Sequence, residues 1–165
     1  MGFLNKILNS LVQNKADKNS NTEQSLYDRY SWEDKNYLSA SKKYFDGMEE
    51  IETNWSVLYN LNCFTGARAD KFISDCKKNI NDFYAWQKIA RTYGEASPPS
   101  VPAFKRLSMI YEKQGLYENS IAVCREAILA CVYNDGTKGG MKGRLARMIK
   151  KSGRTPTDEE MILLN

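Results

Sequence analysis

The chain is predicted to be all-α, built of antiparallel helical hairpins. Three observations carry that expectation. Apolar residues recur at spacings of three and four from Tyr37 to Ile149. Residues 102 to 131, PAFKRLSMIYEKQGLYENSIAVCREAILAC, hold two such stripes that meet at a single glycine, Gly115. Helix punctuation, with proline at a start and glycine or Asn-Asp at the stops, falls between the stripes.

Residues 1 to 24 form an N-terminal segment, 25 to 154 the helical domain and 155 to 165 a tail. Phe3, Leu4, Ile7, Leu8, Leu11 and Val12 share one face of a short amphipathic helix, which docks on the body, a partner or a membrane surface. NKADKNSNTEQ after it reads as a polar linker. Ser31-Trp32-Glu33-Asp34 has capping-box spacing and starts a helix near Trp32. Tyr37, Tyr44, Met48, Ile51, Trp55 and Leu58 continue it, and Asp46-Gly47 is expected to split the stretch into two packed helices. After Thr65-Gly66, a helix with Ala69, Phe72, Ile73, Cys76 and Ile80 inward is expected to end at Asn81-Asp82. Another short helix follows with Phe83, Trp86, Ile89, Ala90 and Tyr93, until the prolines of GEASPPSVP stop it.

Pro102 suits a first helical turn, because its missing N–H has no intrahelical partner there. Phe104, Leu107, Met109, Ile110 and Tyr111 make the stripe of that helix. Gly115 is expected to close it with a positive φ. Tyr117, Ile121, Cys124, Ala127, Ile128 and Cys131 form the stripe of the next helix, and the short connection folds the two into a hairpin. Asn134-Asp135-Gly136 reads as a turn before a closing helix with Leu145, Ala146, Met148 and Ile149 inward. In the tail, Thr157 is expected to cap a helical turn or two whose Asp158, Glu159 and Glu160 complement the helix dipole.

The residues at 102 to 131 resemble one tetratricopeptide repeat, a helix-turn-helix unit with large and small residues at fixed offsets. Phe104, Leu107 and Tyr111 stand at its large positions, Ser108 at its glycine, Gly115 and Tyr117 at its turn, and Ser120, Cys124 and Ala127 along its second helix. The closing proline is absent. Trp55 to Ile80 resembles a diverged second unit. The resemblance implies a short right-handed solenoid with a C-terminal capping helix, in which first helices line a groove for a peptide. Lys105, Met109, Glu112 and Lys113 would line that groove, joined by Arg144, Arg147 and Lys151 if the closing helix stacks as the next first helix. Such a groove would suit an acidic peptide or partner protein. The family's carboxylate clamp uses asparagine at a groove position that Met109 occupies here.

Composition narrows the function classes. Hydrophobic residues at 42% and charged ones at 27% are ordinary for a globular domain, and no apolar run approaches the roughly 20 residues that span a bilayer. The short apolar stretch near residue 1 is broken by Asn5, Lys6 and Asn9 and has no small-residue cleavage site, so a cytoplasmic location is expected. There is no histidine, which removes Ser-His and Cys-His pairs and histidine-ligated metals. Cys63, Cys76, Cys124 and Cys131 include no C-x-x-C pair and read as core residues, so neither metal nor cofactor is expected. Glu49 and Glu50 are sequence neighbours that diverge on a helix, and a non-enzymatic role is expected.

Charge is concentrated at one end. Residues 134 to 154 carry Lys138, Lys142, Arg144, Arg147, Lys150, Lys151 and Arg154 against Asp135 alone, in a chain of net charge +4. Interleaved glycines give Lys138, Lys142, Arg144 and Lys150 the makings of an anion site, and nucleic acid or another polyanion is the alternative partner.

Overall fold

In the computed structural model, which describes residues 33–165, six α-helices and one 3-10 turn make up the described chain, with no strand among those residues. The helices are α1 (Lys35–Asn60), α2 (Ala67–Ala90), α3 (Pro102–Lys113), α4 (Tyr117–Leu129), α5 (Gly140–Ser152) and α6 (Asp158–Leu164). Each packs against the next along the chain from α1 to α5, α3 also touches α1, and α6 lies against α5 and α4. No helix among the described residues is long and apolar enough to cross a membrane. The expected amphipathic helix at 3 to 13 and the cap at Ser31 lie outside the described residues. The observed N-cap of α1 is Asp34, whose carboxylate accepts hydrogen bonds from the Asn36 and Tyr37 amides at 2.7 and 3.3 Å.

The expected breaks at Gly47 and at Asn81-Asp82 do not occur. Both helices run straight through and pair antiparallel, since Tyr44 meets Phe83 and Trp86 with ring centroids 5.6 and 5.3 Å apart while Trp55 meets Phe72 at 5.8 Å. Gly47 serves close approach instead of a stop. A Cβ there would lie 2.6 Å from the Asn79 amide nitrogen, which donates to the Tyr44 carbonyl at 2.8 Å. Asn81 faces solvent and Asp82 pairs with Lys78 one turn away, so neither interrupts the buried stripe that runs from Ala69 to Ala90. Two crossed tyrosine bonds tie the start of α1 to the end of α2: Tyr37 donates to Glu95, and Tyr93 to Asp34, each at 2.7 Å.

The α3–α4 hairpin follows the expected pattern closely. Val101 precedes Pro102 at the first helical position, and Gly115 has φ +73°. Gly115 N–H donates to the Glu112 carbonyl and Leu116 N–H to that of Tyr111, which together form a Schellman cap. Ser108 and Ser120, both fully buried, let the helices approach until the Ser120 hydroxyl reaches the Ser108 carbonyl at 2.9 Å.

Helix α4 ends in the same cap with no glycine available. Cys131 sits at φ +62°, with its N–H on Ile128 and that of Val132 on Ala127, so it is exposed at a helix terminus and not inward as its spacing suggested. Cys63 is partly exposed, while Cys76 and Cys124 are core residues; burial pushes the Cys124 thiol up to about 12. In α5, Ala146 is exposed and Arg144 is buried in its place. Thr157 caps α6 through a reciprocal pair with Glu160, and Leu163 and Leu164 pack on the core, so the tail is part of the body.

The two left-handed positions give opposite expectations. Nothing lies within 4 Å of a Cβ at Gly115, so Gly115→Ala should cost about 1 kcal/mol from backbone strain alone, and Gly115→Val more. Cys131→Gly should gain up to about 1 kcal/mol by relieving the same strain. Thermal melts check both, with the midpoint falling for the first pair and rising by a few degrees for the last.

Candidate functional site

The outward side of α3 carries the four residues expected to line a groove, Lys105, Met109, Glu112 and Lys113, because the core takes the opposite side through Phe104, Leu107, Ser108 and Tyr111. Met109 is half-buried between two sets of charged contacts. Toward α1, Arg106 makes a two-pronged pair with Glu52 at 2.9 and 2.6 Å, and its guanidinium lies 5.1 Å from the Trp55 ring centre. Lys113 sits 5.7 and 5.2 Å from the ring centres of Tyr59 and Phe64. Gln114 then donates to the Phe64 carbonyl at 2.7 Å, which fixes the end of α3 against the α1–α2 connection.

Toward α5, Glu112 is the joint. Lys151 donates to one of its oxygens at 2.7 Å and Arg144 to the other at 3.2 Å. Arg144 also donates from Nε to Asp135 at 2.8 Å, and its side chain is only 5% exposed. Asp135 accepts further bonds from the Thr137 amide and hydroxyl at 2.9 and 2.6 Å. Burial pushes its carboxyl up, but the Thr137 and Arg144 bonds outweigh burial and hold it below the usual carboxylate range. Arg144 therefore leaves both candidate sites, the groove and the anion loop: its charge is committed to a buried pair. Lys151 keeps an exposed ammonium beside Glu112, and Lys113 is held against aromatic rings.

The glycine-rich loop is not an open anion cradle. Gly140 N–H donates to Thr137, Met141 N–H to Tyr133 and Gly143 N–H to Gly139, at 3.0, 2.8 and 2.8 Å, so these amides point at the chain's own carbonyls. Gly140 has φ +55°, and a Cβ on it would fall 2.3 Å from the Tyr133 carbonyl oxygen. The glycines pack a tight corner.

Lys138, Lys142, Arg147 and Lys150 have no acidic partner within ion-pair distance among the described residues, in contrast to Arg144, Lys151 and Arg154. Arg147 and Lys150 are exposed on the outer side of α5, together with Ala146. Lys105 reaches the loop, its ammonium lying 3.2 Å from where a Cβ on Gly136 would be. No cluster of three potential metal ligands occurs among the described residues.

Two features escaped the sequence reading. Arg106 finds its partner in Glu52, 54 residues away in the chain. Arg154 grips Glu118 of α4 and Glu160 of α6 with two bonds each, at 2.9 and 3.1 Å and at 2.7 and 2.8 Å. Nothing local in the sequence marks either pairing.

No protein-family model matches the chain, and searches of curated proteins and of solved structures return no match either.

Two stability tests follow from these ion pairs. Asp135→Ala would leave the buried Arg144 with Glu112 as its one remaining carboxylate and is expected to cost about 3 kcal/mol, read by denaturant melts. Hydrogen bonds from Arg154 hold the Glu160 carboxyl down to about 2, below its unfolded value, so its contribution is complete above the usual carboxylate range and is lost as pH falls toward 2. The melting temperature of Glu160→Gln should accordingly lie below that of the parent at pH 7, with the gap narrowing as pH drops from 5 to 2.

Proposed function

We propose that this chain is a non-catalytic interaction module, in which α1–α2 and α3–α4 are tetratricopeptide-like hairpins of a short right-handed solenoid and α5 is its capping helix. Its partner is an acidic segment of another protein, lying across the outer faces of α3 and α5. The hairpin order, the contact of α3 with α1 and the small-residue contact of Ser108 with Ser120 support the repeat reading.

The observation that carries the choice of partner is the pattern of charge pairing. At these faces the acids Glu112 and, from neighbouring α1, Glu52 already hold cations, whereas Arg147 and Lys150 have no acid among the described residues. The surface thus keeps positive charge that its own residues do not neutralise, with the half-buried Met109 as an apolar contact. Arginine offers bidentate bonds to a carboxylate, and rim charges of this kind govern association and its salt dependence.

Fluorescence anisotropy of a labelled glutamate-rich peptide tests this reading. Arg147→Glu with Lys150→Glu should weaken binding about tenfold at low salt. Absence of binding by the parent protein, or binding indifferent to both substitutions, would remove the assignment. Met109→Ala should weaken it further without altering the salt slope.

A further inference from the structure

We propose that the corner between α4 and α5 is a contact site for single-stranded nucleic acid, with the exposed Tyr133 ring as a stacking platform and Lys138 and Lys142 as phosphate contacts. This surface adjoins the α3–α5 face assigned to an acidic protein segment and shares Lys105 with it, but its other contacts are different residues.

The corner is built before any ligand arrives. Its chain leaves α4 through the left-handed Cys131, Asn134 N–H donates to the Pro99 carbonyl at 2.8 Å, and the Tyr133 carbonyl accepts from Met141 N–H at 2.8 Å. Gly136 N–H is held by the Asn134 side chain at 2.7 Å. The backbone of Tyr133 is therefore held at its carbonyl and at the next amide, while the residue stays 50% exposed. An exposed aromatic side chain with only two rotatable side-chain bonds costs little entropy on binding, and every base offers it a π face.

The electrostatics point the same way. Asp135, the only acid between residues 134 and 154, has a fully buried side chain turned inward onto Arg144 and Thr137. What faces outward is cationic. Lys138 and Lys142 have no acidic partner among the described residues, and the Lys105 ammonium reaches over Gly136 to the same loop. Gly136 and Gly139 in this loop are exposed and add no side chains to it.

Lysine ammonium groups are point charges that recognise phosphate without base readout, so recognition at this corner is independent of sequence. An unpaired strand can turn a base onto Tyr133, whereas a duplex keeps its base faces stacked internally. With about three phosphate contacts the logarithm of affinity should fall with that of salt at a slope of roughly −2, about fifteenfold between 50 and 200 mM.

Anisotropy of labelled dT20 is measured at those two salt concentrations for the parent chain and for Tyr133→Ala, Tyr133→Phe and Lys138→Glu with Lys142→Glu. Circular dichroism melts establish that these surface variants are folded. The expected result is salt-dependent binding that Tyr133→Ala weakens about tenfold, Tyr133→Phe preserves and the double substitution abolishes. An equal-length duplex should bind more weakly, and Arg147→Glu with Lys150→Glu should leave dT20 affinity within a few-fold. No binding of dT20 at 50 mM salt overturns the proposal, as does binding indifferent to Tyr133→Ala. Polyglutamate bound as tightly as dT20 and lost with Lys138→Glu and Lys142→Glu would make the corner a protein contact. Each of these failures leaves the Arg147 and Lys150 test of the acidic-segment reading standing on its own result.

Discussion

Burial of the Arg144 guanidinium is the constraint around which the cationic half of the molecule is arranged. Desolvating a charge of this kind costs several kcal/mol, which is recovered only when partners are well placed and their remaining oxygens are also bonded. Asp135 supplies one carboxylate and is itself held by Thr137; Glu112 supplies the other and is shared with Lys151. Three segments must therefore be in register at once: the loop at 134 to 137, α3 and α5. Met141, Leu145, Met148 and Ile149 drive α5 onto the body by apolar burial, but they are interchangeable in direction in a way that the ion pairs are not. The ion pairs of Glu112 with Arg144 and Lys151 link α3 to α5 at defined turns.

The same pairs decide what the surface has left to offer. Cations that looked alike in sequence divide into two sets once their neighbours are known. Arg106, Arg144, Lys151 and Arg154 join helices to one another, while Lys138, Lys142, Arg147 and Lys150 project without an internal acid among the described residues. Glu112, Arg144 and Lys151, which the repeat resemblance would place along a groove, thus in part fasten helices to one another. A substitution of Arg144 would damage the fold before it reported on any partner.

Local chemistry made the α3–α4 hairpin readable. Pro102, Gly115 and the two small residues Ser108 and Ser120 act within one unit, so their effect shows in a contiguous stretch. The continuity of α1 and α2 was hidden because Gly47 and Asn81-Asp82 are genuine local breakers that long-range packing overrides. The reason for Gly47 is the amide of Asn79, which crosses to the Tyr44 carbonyl on the partner helix. Cys131 misled in the opposite direction. Its spacing from Cys124 fits the buried stripe, yet the helix has already closed, and a non-glycine residue in the left-handed region leaves no trace in composition. The distant partners of Arg144 and Arg154 were unreadable for the simplest reason: Glu112 and Glu118 lie 32 and 36 positions away, beyond the reach of any helical periodicity.

Net charge alone is consequently a poor guide to what this chain can bind. The acids that balance the cations are not spread evenly: Glu52, Glu112, Glu118, Asp135 and Glu160 are spent at helix junctions. Where a pair is drawn into a junction, both charges leave the exposed field together, and the excess remaining outside is set by cations that found no acid. On α5 this selects the outer side and the corner before it, because no Asp or Glu occurs between Gly140 and Ser152. Exposed like charges on one helix repel, at a few tenths of a kcal/mol for each close pair, and that repulsion is relieved only by counterions or by an anionic partner. Salt dependence is therefore the property that separates a binding face from a solvated one here. Counterions screen a solvated face with no concentration-dependent complex, whereas a partner that displaces them must lose affinity as salt rises.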